Sequence, residues 1–232
     1  MLDLERRHIS RPVEFRAASD GLGMLFGYAS VYNRYSQNLG GFVEQVAPGA
    51  FKKSIGDRSA VIARYNHDDN YLLGTTEAET LRLLDDETGL GYEVDLPDTT
   101  SGRDVAFLSK RGDLRYSSFA FYTRDDDWDV TEQGFPLRTL KAVELVDVAP
   151  VNTPAYLDSS AGVRSLAERL DLEIDVVSHL ETAEVRSLLM GEPIDIPAVE
   201  ARSEEEQAEE GRETPTPTVT LARLRLDLER VK

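Results

Sequence analysis

The chain has 232 residues, no cysteine, and 43 acidic against 26 basic side chains, which gives a formal net charge of −17. This length supports one sizeable core, with or without an extended tail, whereas the acidic balance argues against nucleic-acid binding, which needs a basic surface. The lack of cysteine excludes disulfide scaffolds and thiol catalysis, and no apolar run approaches the ~20 residues that a membrane helix requires.

Residues 1–10 form a charged segment ahead of the predicted domain. The opening Met-Leu-Asp-Leu-Glu-Arg-Arg has no apolar stretch of the kind that a signal peptide needs, so we expect a soluble, intracellular protein.

From residue 11 to about residue 158, short β-favouring runs alternate with turn residues. Leu25–Tyr32 is rich in aromatic and β-favouring residues and is followed by Asn33. Similar runs predict strands at Phe42–Val46, Ala60–Tyr65, Leu81–Leu84, Tyr92–Leu96, Leu114–Phe121, Leu137–Leu140 and Val143–Val148. Eight short strands with few helices predict a β-rich α+β domain, built as a barrel or a sandwich.

Helices are predicted both inside this domain and after it. They lie at Pro48–Ile55, Ser101–Lys110, Ala161–Leu170 and Thr182–Met190. Ser101 is the expected cap of the second helix, and Gly112 is its expected stop. The last two helices define a separate helical extension at residues 159–199.

Residues 200–232 are predicted to be a partly disordered acidic linker that ends in a short amphipathic helix. Residues 200–213 hold seven Glu and two Arg with almost nothing to bury. A stiff Thr-Pro-Thr-Pro-Thr spacer follows, and Leu221–Val231 places four apolar side chains on one helical face. A helix this short is marginal in water, so it needs a partner.

His67 is the only histidine inside the β-rich part of the chain. It follows a predicted strand, in the setting Asn-His-Asp-Asp, where an imidazole is well placed to act as a general base. The alternative is an ordinary exposed loop histidine. A metal site is a weaker interpretation, because zinc sites without cysteine usually recruit two or three histidines.

Ser117 and Ser118 are candidate nucleophiles on a strand flanked by aromatic residues. Their side chains point to opposite faces of that strand, and the period of two cannot choose between them. A pair of small hydroxyl groups in a sheet is also common in ordinary packing.

Asp147 is a carboxylate on the apolar face of the predicted strand Val143–Val148. A buried carboxylate needs a hydrogen-bonding or charged partner. An imidazolium is one such partner, and an Arg from a neighbouring strand in a structural ion pair is an equally good one. Together, His67, one of the two serines and Asp147 supply the three roles of nucleophilic acyl transfer, without the Gly-x-Ser-x-Gly elbow of α/β-hydrolases.

Several short motifs occur in a fixed order across residues 11–158. They are Gly27–Asn33, Phe42–Glu44, Pro48–Phe51, Asn66–Asp68, Leu73–Gly74, Thr88–Leu90, Ser118–Phe121, Val143–Val148 and Thr153–Tyr156. In this combination the chain resembles the prohead proteases of tailed bacteriophages.

The resemblance implies a serine endopeptidase with an assemblin-like β-barrel core and peripheral helices. It implies no cofactor, a location inside the procapsid in the host cytoplasm, and capsid protein, scaffold segments and the protease itself as substrates. Homodimers of the assemblin kind are a further implication, whereas no nucleic-acid or membrane partner is expected. By the same resemblance, Ser118 is the nucleophile, His67 the base and Asp147 the third catalytic residue.

The chain departs from the family pattern around the third catalytic residue. Asp147 stands where the family usually has Glu, and Ala-Pro-Val at 149–151 replaces the common Ser-Val-Val. Ala120 also replaces a Gly. Pro150 cannot donate a ladder hydrogen bond and is expected to end the strand early. Asp is also one methylene shorter than Glu, so Glu144 or a water-bridged contact is the fallback for orienting His67. The alternatives are therefore a catalytically inactive capsid assembly or scaffolding factor, and a hydrolase of another substrate class, such as an esterase.

Overall fold

The computed structural model describes residues 3–19, 21–57, 59–153 and 160–194. Its strands are β1 (Glu5–Ile9), β2 (Glu14–Arg16), β3 (Met24–Val31), β4 (Val43–Val46), β5 (Ile62–Arg64), β6 (Leu72–Thr75), β7 (Leu81–Asp85), β8 (Gly89–Asp95), β9 (Tyr116–Val130) and β10 (Pro136–Val151). Its helices are α1 (Lys52–Gly56), α2 (Thr100–Arg111), α3 (Ser160–Leu170), α4 (Ile174–His179) and α5 (Thr182–Leu189), with a 3₁₀ turn at Tyr65–His67. The predicted boundary near residue 158 and the predicted linker and terminal helix at 200–232 lie outside the described residues.

The strands form two sheets. The larger has the order β1-β9-β10-β5-β6, with β4 also paired to β10, and the smaller has the order β2-β3-β8-β7. Buried apolar side chains from both sheets belong to one core cluster, including Leu25 and Tyr92 from the smaller sheet and Phe119 and Val148 from the larger one. The expected strand-rich α+β class is confirmed. Within the described residues the two sheets pair only internally, so the expected barrel is not closed.

The eight predicted strands all correspond to observed strands, but β10 joins two of them and β9 is longer than predicted. The segments Leu137–Leu140 and Val143–Val148 are one strand that continues through Pro150 to Val151, so the expectation that the proline ends the strand early is wrong. Pro150 keeps a place in the ladder opposite Ser117. Strands β1, β2 and β6 were not predicted, because they are short and β1 is highly charged.

The N-cap of helix α2 lies two residues earlier than predicted. Thr99, and not Ser101, is its N-cap, and its hydroxyl accepts a hydrogen bond from the backbone N–H of Gly102 at 3.2 Å. A side chain at Gly102 would meet the Pro97 carbonyl, so this entry geometry requires glycine. Gly112 ends the helix in the left-handed region, as predicted.

The C-terminal helices pack on a second apolar cluster. Leu166, Val177 and Val185 come from α3, α4 and α5, and they share this cluster with Phe42 and Trp128. The Trp128 indole N–H donates to a serine hydroxyl of α3 at 3.0 Å. Among the described residues, no helix combines the length and the apolar character needed to cross a membrane.

A cluster of buried charges joins four strands of the larger sheet. Arg138 of β10 is 1% exposed and pairs with Glu5 of β1 at 2.8 Å, Glu44 of β4 at 3.0 Å and Asp126 of β9 at 2.6 Å. Arg7 of β1 also pairs with Glu5 and Glu44, at 2.7 and 2.8 Å. Burial acts to raise the pKa of Glu5, but the hydrogen bonds and charge of Arg138 outweigh it and lower the pKa. The cluster therefore favours the ionised form of Glu5 while it ties β1 to the sheet.

We expect Arg138→Met to lower the free energy of unfolding by about 3–5 kcal/mol, because it leaves buried carboxylates without their shared counter-ion. Arg82 is the matched control, since it also contacts two carboxylates, Glu93 and Asp95, but is 41% exposed. We expect Arg82→Met to cost less than about 1 kcal/mol. Urea unfolding of both variants measures the difference, and equal losses would show that burial of the Arg138 cluster contributes nothing.

Candidate active site

Three neighbouring strands bring His67, Ser118 and Asp147 together. Asp147 lies on β10, which pairs with β9 on one side and with β5 on the other. Ser118 lies on β9, opposite Ala149 of β10. Asp147 is opposite Ile62 of β5, and His67 ends the 3₁₀ turn that follows β5. Ser118 and Asp147 lie 51 and 80 residues from His67 in the sequence, and strand pairing brings them next to it.

His67 contacts both other residues with its two ring nitrogens. Its Nδ1 is 2.6 Å from Asp147 Oδ1, and its Nε2 is 2.6 Å from Ser118 Oγ. The His67 side chain is 5% exposed and that of Asp147 is 4% exposed. The predicted base is therefore a buried side chain between two polar partners, and the exposed-loop alternative does not apply.

The backbone at His67 is in an uncommon conformation. Asn66 and His67 have consecutive positive φ angles of 56° and 57°, in the left-handed region that non-glycine residues rarely adopt. The Asn66 side chain accepts a hydrogen bond from the Asn152 backbone N–H at 3.1 Å, which anchors the turn just beyond the end of β10. Such conformations persist where the surroundings enforce them, and they cluster at functional sites.

Ser118 is completely buried, with 0% exposure. Besides His67 Nε2, its Oγ is 2.8 Å from the backbone carbonyl oxygen of Arg7 on β1, where His8 is paired opposite Ser118. If His67 Nδ1–H donates to Asp147, Nε2 is an acceptor, and the single Ser118 hydroxyl proton is shared between Nε2 and the Arg7 carbonyl. Strand β1 thus contacts the hydroxyl group directly.

Ser117 lies on the other face of β9 and has a different partner. Its Oγ is 2.9 Å from the hydroxyl group of Tyr92, which is buried in the core of the smaller sheet. Burial raises the pKa of Tyr92, and the hydrogen bond from Ser117 acts in the opposite direction. The structure therefore brings Ser118 to His67 and places Ser117 in the core, which strand periodicity alone could not decide.

Asp147 has a second partner that sequence reasoning did not name. Arg64 Nε, on β5, lies 3.2 Å from Asp147 Oδ2, whereas His67 Nδ1 contacts the other carboxylate oxygen, Oδ1. Both partners anticipated for this carboxylate, an imidazole and an Arg from a neighbouring strand, are present together. The fallback Glu144 is 46% exposed and pairs with Arg124, so it does not join the site.

No single sequence feature marks Arg64 or the Arg7 carbonyl as part of this site. Arg64 precedes His67 by only three residues, but a strand of three residues gives too little pattern to show where its side chain points. Among the described residues, no group of three or more histidine and acidic side chains is arranged to hold a metal ion.

Comparison with known proteins points to one family. A family model described as caudovirus prohead serine protease matches residues 11–171. The solved structure of the bacteriophage T4 capsid assembly protease gp21 is similar, with a TM-score of 0.46 and 11% sequence identity, over 65% of this chain and 98% of that chain. No curated protein matches the sequence.

A double-mutant cycle of unfolding free energies tests the hydrogen bond between Ser117 and Tyr92. Ser117→Ala leaves the Tyr92 hydroxyl group buried without its partner, and Tyr92→Phe does the same to Ser117, so each should cost about 1–3 kcal/mol. The double variant removes both groups and should cost clearly less than the sum of the two. Urea unfolding of the four proteins measures the coupling, and strictly additive costs would contradict the hydrogen bond.

Proposed function

Since the chain belongs to the caudovirus prohead serine protease family, we propose that it hydrolyses peptide bonds in capsid and scaffold proteins, and in itself, inside the phage procapsid. In this proposal Ser118 is the nucleophile, His67 the general base and Asp147 the residue that orients it. The observation that carries the assignment is the double contact of His67, at 2.6 Å to each partner.

The acylation step uses these three residues in a fixed order. Ser118 Oγ attacks the carbonyl carbon of the scissile bond while its proton passes to His67 Nε2, and Asp147 stabilises the resulting imidazolium through Nδ1–H. The tetrahedral intermediate then collapses, the C–N bond breaks, and the leaving amine takes the proton from Nε2. The products of this step are a free amino terminus and an acyl-enzyme ester on Ser118.

The deacylation step repeats the same proton transfers with water. His67 Nε2 removes a proton from a water molecule, whose oxygen attacks the ester carbonyl carbon. Collapse of the second tetrahedral intermediate breaks the bond to Ser118 Oγ, which takes the proton back from Nε2. The carboxyl product leaves, and the resting hydrogen bonds form again.

Burial of the nucleophile restricts how a substrate can reach it. Ser118 is 0% exposed, and at this position β9 is paired on one side with β1 and on the other with β10. An extended peptide has no open sheet edge beside Ser118. Catalysis therefore requires that a segment covering the serine move, which distinguishes the resting arrangement from the one that binds substrate.

The same burial favours a second candidate function. A capsid assembly factor that keeps the protease domain without its chemistry needs no access to Ser118. The two candidates differ in one measurable respect, because only the protease produces new chain termini.

Co-expression with the cognate capsid protein tests the proposal. The wild type should yield shortened capsid protein or trimmed protease, and Ser118→Ala should yield only full-length chains, because the loss of a nucleophile reduces turnover roughly 10⁶-fold. Ser117→Ala is the matched control on the adjacent position and should still cleave. Intact-mass analysis of all chains provides the measurement.

The outcomes separate the candidates. Full-length chains from every variant, including the wild type, would favour the assembly factor. Identical trimming by the wild type and by Ser118→Ala would show that Ser118 is not the nucleophile.

Substitution of the third residue tests the orientation role. Asp147→Asn should lower kcat about 10⁴-fold, because a neutral amide no longer holds the Nδ1–H tautomer of His67. Glu144→Gln, three residues before Asp147 on the same strand and 46% exposed, should leave kcat unchanged within about threefold. Peptide hydrolysis, with a sequence taken from the cleavage site found above, measures both. A larger loss in Glu144→Gln than in Asp147→Asn would return Glu144 to the third position.

A further inference from the structure

Arg64 stands out among the charged side chains near the site. Its side chain is 13% exposed, with Nε 3.2 Å from Asp147 Oδ2 and Nη1 paired with Asp69. Among the described residues, Arg64 Nε is the buried side-chain donor without a hydrogen bond of good geometry. The contact with Asp147 is therefore an ion pair through charge and proximity.

We infer that Arg64 is a positioning residue, which keeps Asp147 Oδ1 directed at His67 Nδ1. This inference rests on the proposed function for its catalytic meaning. A carboxylate as buried as Asp147 needs a full counter-charge. Arg64 supplies such a charge, with its Nε 3.2 Å from Asp147 Oδ2.

Strand pairing brings Arg64 and His67 to the same carboxylate. Strand β5 runs parallel to β10 and ends with Arg64, three residues before His67. A register shift interrupts the pairing of β5 with β6 between Ala63 and Arg64. Such irregularities change the direction of a side chain next to active sites. One short segment thus supplies partners for both oxygens of Asp147, Oδ2 from Arg64 and Oδ1 from His67.

The outer end of Arg64 is also held. Asp69 lies in the loop after His67, is almost fully exposed, and pairs with Arg64 Nη1. The guanidinium group thus spans from the solvent-facing loop to the buried carboxylate. This arrangement limits the rotation of Asp147, because a turn of the carboxylate away from His67 would also break its contact with Arg64.

Substitution of Arg64 in the full chain, followed by measurement of kcat and of the His67 Nδ1–H chemical shift, tests the inference. Arg64→Gln should lower kcat about 10²-fold, because a displacement of the His67–Asp147 pair by up to about 1 Å has an effect of this size. KM should change less than about twofold. In proton NMR, the His67 Nδ1–H resonance, assigned by its loss in His67→Ala, should move upfield as its bond to Asp147 weakens. Arg64→Lys keeps the charge and should recover part of both.

Arg124→Gln is the matched control. Arg124 also pairs with a carboxylate of β10, Glu144, but both side chains are about half exposed and neither contacts His67. This variant removes the same charge and should leave kcat and the Nδ1–H resonance unchanged.

One combination of results would overturn the inference. If Arg64→Gln folds, keeps kcat within about threefold of the wild type and leaves the Nδ1–H resonance in place, Arg64 is only a structural ion-pair partner. If Arg64→Gln does not fold, Arg64→Lys decides by the same two readouts. If the wild type cleaves nothing, the proposed function fails, but the NMR comparison still tests whether Arg64 positions Asp147.

Discussion

The hydrogen-bond register of β10 is the constraint on which the site depends. This strand of 16 residues pairs antiparallel with β9 along its length and parallel with β4 and β5 at its two ends. Register shifts occur in its pairing with β9, one of them between Leu145 and Asp147. Because side chains alternate between faces, a slip by one residue would turn Asp147 away from His67 and Arg64. Two separately paired neighbours, β9 and β5, make such a slip costly.

Buried charges on β10 are compensated in two different ways. Arg138 lies in a cluster of three carboxylates and a second arginine, with hydrogen bonds on most of its donors. Among the described residues, Asp147 pairs with Arg64 and His67, and its contact with Arg64 is not a well-formed hydrogen bond. The first arrangement uses most of the Arg138 donors and stabilises the sheet, whereas the second places His67 between Asp147 and Ser118. The same strand therefore carries a structural ion cluster at one end and a carboxylate of the candidate active site at the other.

Much of this architecture was predictable from local sequence, and the failures have identifiable causes. The eight predicted strands have enough aromatic and β-branched residues to mark them, but β1 (Glu-Arg-Arg-His-Ile) has the composition of a solvated segment. Only its burial against Glu44 and Arg138 makes those charges favourable, and that is a tertiary effect. The barrel expectation failed because strand count does not determine whether two sheets close.

Prediction of the site was also limited by what local sequence shows of tertiary contacts. His67 and Asp147 were identified as candidates from their chemistry, but the choice of Ser118 over Ser117 came from the family resemblance. The structure separates the two serines by their partners, His67 and Tyr92. Arg64 could not have been assigned from sequence, since its role depends on the direction of one side chain at an irregular point of a three-residue strand.

The position of β1 has a consequence for where this folding unit can be cut. The family match begins at residue 11, yet Glu5 and Arg7 contribute to the buried ion cluster, and the Arg7 carbonyl contacts Ser118. A fragment that lacked residues 1–10 would lose one charge of each sign, so the net charge of the cluster would not change. It would, however, uncover the edge of β9 at residues 117–121, whose backbone groups pair with β1 in the full chain. Open edges of this kind pair with other chains, so aggregation of such a fragment would reflect the missing strand and not an unstable core.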